Sequence, residues 1–121
     1  MDKLDEENLI SHRLYREHTQ PKNNVYIKDL SLLGRDIKKC IIVDNNAENF
    51  QVHPKNGIFI KSWYGDQADQ ALTKLAPILK GSAAIISEIS TANCPDIRVA
   101  LKRVKEAMLR NAQKPLDPLR D

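Results

Sequence analysis

Four apolar or β-favouring residues in a row, Cys40-Ile41-Ile42-Val43, stop abruptly at Asp44-Asn45-Asn46. An unbroken apolar run of this length reads as a strand buried on both faces, the habit of parallel sheets. Parallel strands need crossover connections, so this one run steers the chain toward an α/β architecture. A second strand, Gly57-Ile58-Phe59-Ile60, follows a loop holding His53, Pro54 and Asn56. Between them, Ala47-Glu48-Asn49-Phe50 has room for one helical turn only.

The rest of the chain is read around that pair. Residues 2–10 make a short acidic helix, and Arg13 to Tyr15 a brief extended segment. A polar loop through His18, Pro21, Lys22, Asn23 and Asn24 follows. Val25 to Leu30 alternates apolar and polar side chains, a strand or hairpin-arm signal. Leu32 to Asp36 reads as a helical turn stopped by Gly34. From Asp66 to Lys80, Ala68, Ala71, Leu72, Leu75, Ile78 and Leu79 recur at helical spacing, with Pro77 expected to kink or end the helix. Ser82 to Ile89 reads as another short helix. Ile97, Leu101, Val104 and Met108 form one stripe of a helix reaching Ala112, with Asp96 after Pro95 as its N-cap. Pro115 and Pro118 end regular structure. Strand, loop, strand, helix, helix favours α/β with a parallel sheet.

Length and composition limit the function. At 121 residues, 41% hydrophobic and 29% charged, the chain suits one globular domain and excludes collagenous, coiled-coil and mostly disordered classes. No run approaches the ~20 apolar residues of a transmembrane segment. The acidic start, Met1 to Glu7, fits neither a secretory signal nor a basic transit peptide. The net charge of +3 is uneven: residues 97–121 hold seven Lys or Arg against three acids. A solvated helix face accounts for that excess, although a basic tail also suits nucleic acid, acidic lipid or an acidic partner. With aromatics at 5% there is no stacking platform, and no direct nucleic-acid partner is expected. Cys40 reads as a small buried side chain and Cys94 as a loop residue; without a Cys/His cluster neither zinc nor a disulfide framework is indicated, and a reducing compartment is the default.

Polar residues just after a buried parallel strand lie in the crevice where such sheets bind ligands. Asp44 and Asn45 hold that place. Their oxygens suit Mg²⁺, and the same pair suits an ordinary turn. Lys28 offers a point charge for a phosphate or carboxylate, or a solvated surface charge. His53 is a general acid or base, or a side chain that hydrogen-bonds its loop. Trp63 and Tyr64 are expected to anchor the loop after the second strand. There is no GxGxxG, GxxxxGK[ST] or GxSxG motif.

Six ordered blocks carry a resemblance. They are His12 to His18, Tyr26-Ile27-Lys28-Asp29-Leu30-Ser31 with Leu33-Gly34-Arg35-Asp36, Ile41-Ile42-Val43-Asp44-Asn45, His53-Pro54-Lys55-Asn56, Ile60 to Tyr64, and Leu72 to Pro77. Together they resemble the C-terminal half of the small phosphatases acting on the RNA polymerase II C-terminal domain. These are the nuclear LIM-interactor-interacting-factor-like phosphatases of the haloacid dehalogenase superfamily. The resemblance implies a Mg²⁺-dependent phosphoserine/phosphothreonine protein phosphatase with a covalent aspartyl-phosphate. It makes Lys28 the catalytic lysine, Asp44 the acid paired with it, and Asn45 the Mg²⁺ ligand.

The departures shape the expectation. The family nucleophile motif, DxDx(T/V), does not occur in these residues, nor does the phosphate-holding Ser or Thr of its second motif. After Asn45, Asn46-Ala47 stand where the family usually has Ser-Pro. In the family fold Arg13–Tyr15 would be strand 3, Cys40–Val43 strand 4 and Ile58–Ile60 strand 5. The expected fold is therefore the C-terminal half of a haloacid-dehalogenase-like Rossmannoid parallel sheet lacking strands 1 and 2, inactive alone. Residues 1–11 are an acidic segment, 12–94 the partial phosphatase-like domain, and 95–121 a basic amphipathic helix with a Pro-containing tail. The partners implied are a phosphoprotein substrate, if an N-terminal half completes the domain, or a protein that completes the sheet. The alternative is a non-catalytic scaffold or assembly subunit, a degenerate relative like the mitochondrial inner-membrane import receptor. Location is nuclear or cytoplasmic by resemblance, mitochondrial in the alternative.

Overall fold

A computed structural model describes residues 1–89 and 96–113 of the chain. Over these residues the architecture is mixed α/β, with two small sheets and two α-helices. β1 (Gln20–Lys22) and β2 (Val25–Ile27) form an antiparallel hairpin. Its two-residue loop, Asn23-Asn24, has φ of 50° and 65°. Those left-handed conformations match the twist of the flanking strands, and Asn tolerates them better than other side-chain-bearing residues. The polar loop expected at 18–24 is thus a strand and a tight turn. Arg16 stacks its guanidinium over the Tyr26 ring at 4.7 Å, holding the preceding 3₁₀ turn (Arg16–His18) against the hairpin.

β3 (Ile42–Asp44) and β4 (Gly57–Phe59) are parallel, in the register Ile42 to Gly57, Val43 to Ile58 and Asp44 to Phe59. Among the described residues β3 is paired on one side only. The connection is two 3₁₀ turns, Ala47–Phe50 and Pro54–Asn56, in place of a crossover helix. Leu30, Ile42 and Phe50 form the core beneath, with Ile37 and the half-buried Cys40 packed on it. Gly57 is small because Phe50 lies over it: a Cβ there would fall 2.3 Å from the ring. Asn56 is the most buried polar residue among those described and holds the entry to β3, its amide donating to Ile37 O at 2.8 Å and Cys40 O at 2.9 Å.

α1 (Ala71–Ile89) and α2 (Ile97–Gln113) pack on each other, and α2 also covers the turns at 37–39 and 54–56. Leu75, Ile97 and Leu101 are buried. Asp96 caps α2 as expected, accepting from Arg98 N at 2.9 Å. The readings for Cys94, Pro95, Pro115, Pro118 and the Met108 side chain fall outside the described residues.

Several expectations are corrected. The helix of 66–80 and that of 82–89 are one helix running through Pro77, which loses a single ladder bond while the turns on either side continue. It starts at Ala71, whose N–H Asp69 accepts, so the acids before it form turns instead of a first helical turn. Leu72 faces solvent instead of core. Residues 2–10 are turns, because the Asp5 carboxylate takes Leu9 N at 2.7 Å and Ile10 N at 3.2 Å that a helix would otherwise use. Arg13–Tyr15 is not a strand, having no ladder partner among the described residues. Trp63 and Tyr64 are 61% and 92% exposed; the indole N–H donates to Asp66 O, which tethers the loop without burying the ring.

Candidate functional site

β3 delivers Asp44 to the carboxyl end of the parallel pair, buried at 5% exposure. A carboxylate in that position must be satisfied by fixed donors, and three elements supply them. Lys28, just past the end of β2, places its Nζ 2.5 Å from Asp44 Oδ2. Asn46 N donates to Oδ1 at 2.9 Å, and the Asn49 amide reaches Oδ1 at 3.2 Å and Oδ2 at 3.4 Å. Burial pushes the Asp44 carboxyl up, but the Lys28 ammonium, the Asn46 N–H and the Asn49 amide together outweigh it and hold the group below its ordinary value. Asn49 also closes the loop through the backbone, its carbonyl accepting Lys28 N at 2.7 Å. Lysine and carboxylate are therefore fixed to each other and to the same asparagine.

Asn45 points the other way in role. It is exposed, and its amide donates to Ser62 Oγ at 3.1 Å across the β3–β4 ends. Its carbonyl oxygen is a hard ligand of the kind Mg²⁺ takes. Both Asp44 oxygens are already engaged, and no three His, Cys, Asp or Glu side chains cluster as a metal site among the described residues. Among the described residues Asn45 thus offers one oxygen that a Mg²⁺ ion could take, and no cluster stands beside it.

His53 lies beside this cluster, not in it. Its Nε2 is 2.8 Å from Asp29 Oδ1. Asp29 also accepts the Ser31 hydroxyl at 2.6 Å and Ser31 N at 3.0 Å. The Ser31 hydroxyl most of all, then His53 and the Ser31 N–H, lower the Asp29 pKa to about 2. This pair buckles the turn after β2 to the crossover, one residue from Lys28. Sequence reasoning passed over Asp29, Asn49 and Asn56. The signal for Asn49 was its place five residues past Asp44, where one tight turn brings it back over the strand end.

Lys28 and Asn49 also line an open groove of about 690 Å³ that reaches Ile42 of β3. Leu14, Leu32 and Leu33 give it exposed apolar walls.

A lysine–carboxylate pair at the carboxyl end of a parallel strand, in a mixed α/β frame, is the arrangement seen here. Residues 1–90 match the family model of the NLI interacting factor-like phosphatases. The chain belongs to that family. It is 46% identical over 79 residues to a Dictyostelium discoideum protein named "Probable C-terminal domain small phosphatase", covering 65% of this chain and 26% of that protein. It is 36% identical over 97 residues to human carboxy-terminal domain RNA polymerase II polypeptide A small phosphatase 2, covering 78% of this chain and 36% of the relative. Over 100 residues it is 38% identical to mitochondrial import inner membrane translocase subunit tim50 of Neurospora crassa, covering 83% and 17%. The chain therefore spans well under half the length of these relatives. No described helix is long and apolar enough to cross a membrane.

Proposed function

We propose that these residues form the C-terminal half of a Mg²⁺-dependent phosphoserine/phosphothreonine protein phosphatase of haloacid-dehalogenase type. The observation that carries the reading is the Lys28–Asp44 ion pair at the strand end, next to Asn45. In phosphoryl transfer the protein's task is mostly positioning and charge neutralisation. Lys28, pinned by Asp44 and by the Asn49 carbonyl, steadies a nucleophilic carboxylate and the equatorial oxygens of the phosphoryl group. Asp44 keeps the ammonium aimed. Asn45 would hold Mg²⁺, which when bound supplies further positive charge to the phosphate. The nucleophile of the DxDx(T/V) motif would come from a strand outside these 121 residues, laid along the unpaired side of β3. The open groove reaching Ile42, with Leu14, Leu32 and Leu33 in its walls, supports that placement, as does the cost of leaving a buried strand edge unpaired.

The test joins this chain to an N-terminal half from a family member and measures phosphate release from a phosphoserine peptide. Mg²⁺-dependent turnover is expected. Lys28→Ala should cut it by about a hundredfold or more, on the scale of losing one transition-state donor, and Asn45→Ala should lower it and raise the Mg²⁺ concentration it requires. Undiminished activity in either variant overturns the assignment of that residue. The second reading, a non-catalytic assembly subunit, is favoured by the likeness to the import translocase subunit. It predicts a stable complex with a partner protein and no turnover with any divalent metal.

A further inference from the structure

The basic helix is not used by the site above, and its charges are not scattered. Arg98, Lys102 and Lys105 of α2 and Lys55 of the turn before β4 line one groove of about 740 Å³, with Pro54 and Val99 as apolar lining. Two carboxylates share the groove. Asp96 is committed to Arg98, at 2.9 Å from its guanidinium, and Glu106 is exposed. Among the described residues Lys55, Lys102 and Lys105 make no ion pair. Lys105 is half-buried, and that burial lowers its pKa. A partly desolvated ammonium that makes no ion pair among the described residues carries a cost that an incoming anion would relieve.

We propose that this groove docks an extended acidic segment of a polypeptide. Spacing favours a peptide: the helical rise puts Arg98 and Lys102 about 6 Å apart along the axis, close to the ~6.7 Å between alternate side chains on one face of an extended chain. Concavity argues against a flat lipid surface as the occupant. The lack of any aromatic residue in the lining argues against stacked nucleotide bases. The lysine stems and Val99 offer the occupant apolar contact beneath the charges.

The experiment is fluorescence anisotropy of a labelled peptide of alternating glutamate and serine, titrated with the 121-residue chain. Saturable, salt-sensitive binding is expected, weakened about tenfold by Lys102→Glu with Lys105→Glu, and several-fold by Lys55→Glu from the opposite wall. Lys3→Glu with Lys22→Glu makes the same change in net charge outside the groove and should leave affinity within about twofold. Equal weakening by both double variants reduces the effect to net charge and overturns the proposal. So does absence of peptide binding, whether or not phosphatidylserine vesicles or single-stranded DNA bind through the same lysines. Circular dichroism of each variant confirms that the fold is retained. No catalysis enters the titration, so its failure is distinct from failure of the phosphatase reading.

Discussion

Two buried aspartates, Asp5 in the N-terminal turns and Asp44 at the end of β3, solve the same problem at different ranges. Asp5, at 8% exposure, is satisfied by its own neighbours, Leu9 N and Ile10 N, with Arg13 at 3.6 Å. Arg13 also bridges to Asp2, so every partner lies within the first thirteen residues. Asp44 instead binds Lys28, sixteen residues away, as well as Asn46 and Asn49. One carboxylate shapes a local turn. The other joins the hairpin, the crossover and the parallel pair, so its ionisation is tied to the tertiary fold.

That contrast is open to measurement, and the largest effect belongs to Asp44. Replacing it with Ala should cost about 3 kcal/mol in urea unfolding, since three donors lose their acceptor in a part-buried place. A loss under about 1 kcal/mol would show that Asp44 is as local in its effect as Asp5. Lys28→Met should cost less, about 1 kcal/mol, because the ammonium is half-exposed and water screens it. Combining both changes should cost less than their sum, and strict additivity would mean the ion pair contributes nothing to folding.

How far each aspartate could be read from sequence follows the same division. Asp44 was legible because it ends the apolar run Cys40 to Val43, and runs of that kind need little context. Gly57 to Ile60, the Gly34 stop and the Asp96 cap were legible for the same reason. Asp5 was not, since an acidic stretch satisfies helix propensity and local Asx capture equally well. Trp63 ties its loop through the indole N–H as expected, but the exposure of both rings was not legible, because burial depends on what packs opposite and nothing in Ile60 to Tyr64 encodes that neighbour. Pro77 does not end the helix because the penalty for one missing N–H is a local quantity, whereas the helix from Ala71 to Ile89 packs on α2. The fixing of Lys28 through Asn49 combines a carbonyl and an amide of one residue, which no spacing rule reports.

Acid should separate the regions further. The Asp44 carboxyl titrates below its ordinary value in the folded chain, so its stabilisation is complete above the unfolded carboxylate pKa and disappears as pH falls through the lower folded one. The stability gap between the native chain and Asp44→Asn should therefore be flat from about pH 7 to about pH 5 and narrow below about pH 4. A gap unchanged down to about pH 2 would contradict the Lys28 pairing. Asp5→Ala should cost about 1 kcal/mol, the scale of a lost cap, because its N–H partners can turn to water. Asn45→Ala is the smallest change. It should move stability by no more than about 0.5 kcal/mol, as befits an exposed side chain held by one amide-to-hydroxyl hydrogen bond.

The Asn23-Asn24 turn carries a consequence for the order of assembly. A hairpin closed by two residues forms in about 1–10 μs. The parallel pairing of Ile42 with Gly57 must first close a longer loop through two 3₁₀ turns. The hairpin contacts that carry Lys28 are therefore expected to form ahead of the parallel pairing. Asp44 would then meet its counter-charge as β3 docks.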